Sequence, residues 1–92
     1  MANQTQYRIL IKGKVQGVFY RANTVNKAKE LNLKGTVRNL PNGDVEIIAQ
    51  GLKDNLEKLR EWCWQGPEFA RVDDVKLTEQ PINVNYDDFT VS

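Results

Sequence analysis

Tyr7, Ile9 and Ile11 alternate with Arg8, Leu10 and Lys12, a period of two that predicts a strand across "TQYRILIKG". Further on the period changes. Ala22, Val25, Ala28 and Leu31 recur at helical spacing and predict a helix from Ala22 to Leu31. Asn32 follows, a residue type that accepts the left-handed conformation in which many helices end. "KGTVRNL" and "DVEIIAQ" read as two short strands around "PNGD", where Asn-Gly is a strong hairpin signal. Leu52, Leu56, Leu59 and Cys63 then share one helical face, and Gly66-Pro67 stops that second helix. "ARVDDVKL" reads as a fourth strand. Its apolar phase slips between Val72 and Val75, so a bulge is expected near Asp73-Asp74. "NYDDFTVS" adds an edge strand through Phe89 and Val91.

The order strand, helix, strand, strand, helix, strand is the split βαβ pattern of the ferredoxin-like α+β sandwich. The expectation is an antiparallel sheet of four to five strands with both helices on one face. At 92 residues the chain is expected to form one domain, residues 1–92. This architecture hosts many activities, so it does not choose one.

Composition removes several classes of chemistry. Hydrophobic residues are 40% and charged residues 27%, the balance of a globular chain. The net charge of +1 is too even for a chain whose main partner is a nucleic-acid backbone. The opening "MANQTQYRILIKG" has no apolar core or basic leader of a secretory signal. No run approaches the ~18 apolar residues that span a membrane, and a cytoplasmic location is expected. Histidine is absent, so neither a Ser-His-Asp nor a Cys-His machine can be built. The lone Cys63 excludes an internal disulfide and a Cys-rich zinc site, and reads as a small core residue. Asp73-Asp74 and Asp87-Asp88 read as solvated acids rather than a metal pair. Trp62 and Trp64 flank Cys63 and are expected to pack on the sheet.

One stretch resists a purely structural reading. In "GKVQGVFYR", two glycines and a short apolar run stand where the strand hands over to the helix, and Arg21 follows. A cation in the first turn of a helix opposes the helix dipole by roughly 0.3–1 kcal/mol. Gly13 and Gly17 bracket a loop whose N–H groups can curl into an anion-binding nest, with Arg21 adding a planar fork of donors. A glycine turn followed by a solvated arginine is the other reading. Asn39 is similarly ambiguous. Asn is a poor strand former, and here it either bonds the nearby turn or offers its amide to a small polar molecule.

"GKVQGVFYR" followed by "GTVRNLPNGDVEIIAQG" resembles the acylphosphatase family, and the resemblance runs from the first strand through "EWCWQGP" to "RVDDV". It implies that Arg21 binds phosphate, that Gln16, Gly17, Val18, Phe19 and Tyr20 supply backbone N–H groups to it, and that Asn39 positions the attacking water. The implied reaction is metal-independent hydrolysis of an acyl phosphate to a carboxylate and inorganic phosphate. It implies a small-molecule substrate with phosphate or sulfate in the loop, while the charge, hydropathy and residue content above set the expectation of no cofactor, no nucleic acid and no membrane; a monomer is expected. One departure concerns the end of the chain. Family members often close with Arg-Tyr and a carboxylate near the catalytic arginine, whereas this chain reads "DDFTVS". Two rival functions fit the fold. An RNA-binding module needs aromatics on its central strands, and only Tyr7 offers one across "YRILIK" and "DVEIIAQ". A non-enzymatic domain that keeps the phosphate loop is opposed by the presence of both Arg21 and Asn39.

Overall fold

In a computed structural model that describes residues 4–92, the alternation of the first strand becomes a division between two faces of a sheet. Tyr7, Ile9 and Ile11 of β1 (Gln4–Lys14) are buried together with Val37 of β2 (Lys34–Asn39) and with Val45, Ile47 and Ala49 of β3 (Val45–Leu52). Two helices cover that face. α1 (Tyr20–Glu30) contributes Tyr20, Thr24 and Ala28, and α2 (Lys53–Gln65) contributes Leu56, Leu59 and Cys63. β4 (Arg71–Gln80) and β5 (Phe89–Val91) complete a five-stranded sheet in the order β4-β1-β3-β2-β5. The expected ferredoxin-like sandwich is present.

The sheet is mixed rather than antiparallel throughout. β5 runs parallel to β2, pairing Gly35 with Phe89 and Val37 with Val91. The direction follows from the strand order. β1 and β2 are both antiparallel to β3, so they point the same way, and β4 is antiparallel to β1. A chain that reverses after β4 must therefore run along β2. Gln50 holds the crossing segment, donating to Val84 O and accepting from Tyr86 N–H at 3.2 Å. Phe89 is then buried at the edge, a burial that contributes about 2 kcal/mol toward ordering so short a strand.

Other details depart from the sequence pattern in small ways. α1 begins at Tyr20, ahead of the expected start, so the buried face is Tyr20, Thr24 and Ala28 while Ala22 is exposed. Leu52 is exposed and precedes α2, whose first turn carries Asp54 in favourable alignment with the dipole. The bulge in β4 lies where expected: Lys12 pairs with Asp74 and Gly13 with Val72, which leaves Asp73 without an opposite residue. Trp62 is half-buried with its ring centroid 5.4 Å from that of Tyr20. Trp64 points outward, because residues two apart on a helix cannot share a face.

On the open face of the sheet, Glu46 is buried between two arginines. Arg8 Nε donates to its Oε2 at 2.8 Å and Arg38 Nε to its Oε1 at 2.7 Å. Burial pushes the Glu46 carboxyl up, but the two guanidinium groups outweigh burial and hold it below its ordinary value. A carboxyl that titrates lower in the folded state stabilises the fold above its unfolded pKa. That contribution is lost as pH falls through the folded value. Glu46→Gln should lower stability by about 1–3 kcal/mol at pH 7. Urea melts at pH 7 and pH 3 should show the gap from the parent narrowing in acid, and an unchanged gap would remove the ion pairs as its source.

Candidate active site

The loop between β1 and α1 is shaped by two glycines with separate duties. Gly13 lies inside β1 rather than at the mouth of the loop. A Cβ there would sit 2.1 Å from Arg71 O, so Gly13 serves the close pairing with β4. Gly17 shapes the loop itself, with φ 76, and Phe19 follows at φ 63, whereas Val18 between them keeps a negative φ. Alternation of this kind turns successive N–H groups toward one concave side. The N–H groups of Gln16, Gly17, Val18 and Phe19 donate to no backbone acceptor among the described residues. Phe19 is also the N-cap of α1 without any side-chain cap, and the first turn carries no acid. The open N–H groups of that turn add to those of the loop.

These elements surround a cleft of about 330 Å³. Gly17, Phe19, Tyr20 and Arg21 line it from the loop and α1, and Asn39 and Val91 line it from β2 and β5. Arg21 is exposed and forms no ion pair among the described residues. Asn39 Oδ1 is buried without a hydrogen-bond partner, alone in this among the described side chains. Leaving such an atom unsatisfied costs roughly 1–3 kcal/mol.

The turn after Asn39 does not need that side chain. Gly43 N–H donates to Leu40 O at 3.1 Å, Leu40 N–H to Asp44 O at 2.8 Å, and Asp44 N–H to Asn42 Oδ1 at 3.0 Å. Of the two readings open for Asn39, the turn-bonding one has no bond to carry it.

Gln16 and Val18 lie outside the cleft lining. Val18 is buried beneath the loop. The Gln16 side chain does something its sequence context did not announce: Nε2 donates to Leu40 O and to Asp44 O, each at 2.8 Å. Lys12 Nζ meets Asp44 Oδ2 at 2.8 Å. The Gln16 side chain thus ties the loop directly to the hairpin that follows Asn39, and Lys12 ties β1 to the same hairpin. No pattern in the sequence names backbone carbonyls as partners of a distant glutamine.

The chain has no histidine, so no imidazole stands in the walls. The Tyr20 hydroxyl donates to Cys63 O at 2.7 Å, and burial pushes its pKa well above the usual phenol value. Burial pushes the Cys63 thiol up to about 12. No cluster of His, Cys, Asp or Glu suited to a metal occurs among the described residues. No helix among them is long and apolar enough to cross a membrane.

Known proteins are similar to this chain over nearly its whole length. A family model described as acylphosphatase matches residues 7–91. An acylphosphatase of Marinobacter nauticus is 52% identical over 84 residues, covering 91% of each chain. The structure of an acylphosphatase from Coxiella burnetii superposes with a TM-score of 0.93 at 44% identity, covering 98% of this chain and 94% of that one. The crystal structure of acylphosphatase from Bacillus subtilis gives 0.92 at 34% identity, covering 96% and 98%.

Proposed function

The chain belongs to the acylphosphatase family, and on that premise we propose how its cleft hydrolyses the carboxyl–phosphate bond of an acyl phosphate. Arg21 grips two phosphoryl oxygens with its guanidinium fork. The N–H groups of Gln16, Gly17, Val18, Phe19 and Tyr20, backed by the positive end of α1, take the rest of the phosphoryl charge. Asn39 orients the water. The arginine that opposes the helix dipole and the dipole itself are aimed at one anion.

The water oxygen bonds to phosphorus as the bond from phosphorus to the acyl oxygen breaks. The electron pair of that bond stays on the acyl oxygen, which leaves as a carboxylate, and the water proton passes to phosphate or solvent. A carboxylate is a stable leaving group near neutral pH, so no general acid is needed. A loose phosphoryl-transfer transition state asks little base strength of the water. Positioning and fixed dipoles are then sufficient, and a hydrolase without histidine is chemically coherent.

The observation that carries this reading is the run of unpaired loop N–H groups sharing one cleft with Arg21 and the unpartnered amide of Asn39. The same reading has the chain act as one domain over residues 1–92, as a cytoplasmic monomer, with inorganic phosphate or sulfate competing for the loop. The test is hydrolysis of benzoyl phosphate by the purified chain, with and without EDTA, from pH 6 to 8. Activity should survive the chelator and stay within about twofold across that range, since no group with an ordinary pKa near 6.5 is present. Loss in EDTA restored by a divalent ion would remove the metal-free mechanism.

A further inference from the structure

We infer that Phe19 and Phe69 form a binding site for the acyl group, and that the chain favours uncharged aryl or hydrocarbon acyl phosphates over short or anionic ones. This rests on the phosphoryl group sitting at Arg21. Phe19 is 76% exposed and Phe69 72% exposed, although both are large and apolar. Single exposed apolar residues need no explanation, but these two line one groove of about 290 Å³ together with Val18 and Pro67. Phe19 holds its outward position from a left-handed backbone at φ 63, a conformation disfavoured for a bulky residue. Its ring gains no core packing in return.

The far wall of the groove is anchored. Ala70 N–H closes a turn on Pro67 O at 3.0 Å, and Gly66 packs so closely on Tyr20 that a Cβ there would be 2.7 Å from its ring. Phe69 is therefore carried on a segment braced against the first residue of α1. Phe19 lines both this groove and the phosphate cleft. In-line displacement places the leaving group opposite the attacking water. With the water held at Asn39, the acyl group departs from the side that β2 and β5 do not line, and the groove contains no residue of either strand. Glu68 is the charged residue on the groove wall. A carboxylate there opposes an acyl group bearing its own carboxylate or phosphate.

The experiment compares kcat/KM for benzoyl, acetyl and succinoyl phosphate in the parent, Phe69→Ala and Glu68→Gln. Both substituted residues are exposed, and circular dichroism checks that each variant folds. In Phe69→Ala the benzoyl-to-acetyl ratio should fall about tenfold, the loss lying in KM. In Glu68→Gln the succinoyl-to-benzoyl ratio should rise about threefold. Inhibition by inorganic phosphate reports separately on the phosphate cleft. Unchanged ratios, or equal losses on every substrate, overturn the acyl site while leaving the phosphatase reading intact. A parent that hydrolyses none of the three overturns both.

Discussion

Replacing Arg21 with Ala should lower kcat/KM for an acyl phosphate by about 1,000-fold or more, and Arg21→Lys by at least about 100-fold. Lysine keeps the charge but presents a single ammonium in place of a planar fork, so it cannot hold two phosphoryl oxygens at fixed spacing. Phosphate binding should fall in both variants, because the proposed fork would act on the product as well as on the transition state. Stability should move the other way. Arg21 is exposed and unpaired among the described residues, and it stands in the first turn of α1. Removing a cation from that end of a helix gains roughly 0.3–1 kcal/mol. Thermal melts and phosphate titrations on the same preparations give both readouts. A lysine variant with near-parental affinity and rate would reduce Arg21 to a general positive charge. A destabilised alanine variant would give it a structural duty instead.

The periodic segments were legible because burial on one face imposes its period directly on the sequence. β1, β3 and the Leu56–Leu59–Cys63 face of α2 follow from that alone. The start of α1 was less legible. Tyr20 is buried through its ring and its bond to Cys63 O, a contact made across the fold, and it moves the helical face away from Ala22. The direction of β5 depends on strand order, which no local pattern contains.

At the site, the glycines, Arg21 and Asn39 stood out because each breaks a local rule: a cation at a helix start, an amide in a strand. Phe19 broke a rule that the sequence hides. Nothing marks a phenylalanine as left-handed, and its φ of 63 emerges only when the loop is closed against α1. The tie from Gln16 to Leu40 O and Asp44 O is invisible for a related reason, since backbone carbonyls carry no residue identity. Val91 of β5 reaches the cleft, a contact that no local pattern announces, and Arg21 has no carboxylate partner among the described residues.

Asn39→Ala should separate binding from chemistry. The proposed partner of the amide is the attacking water, whose alignment matters in the transition state and hardly at all in the phosphate complex. Turnover should therefore fall on the order of 100-fold while phosphate affinity stays within about threefold. The fold should survive. The hairpin bonds run through Leu40, Asn42, Gly43 and Asp44 without this side chain, and alanine also removes a buried acceptor that has no partner. Melts should show the variant as stable as the parent or slightly more so. Asn39→Asp should fail differently. An ionised carboxylate repels the phosphoryl group and donates no hydrogen bond, so affinity and turnover should fall together. Steady-state kinetics, phosphate titration and circular dichroism on matched preparations distinguish the cases. If Asn39→Ala unfolds the domain yet its folded fraction turns over at the parental rate, the amide belongs to the hairpin, and water positioning must be carried by Arg21 and the loop alone.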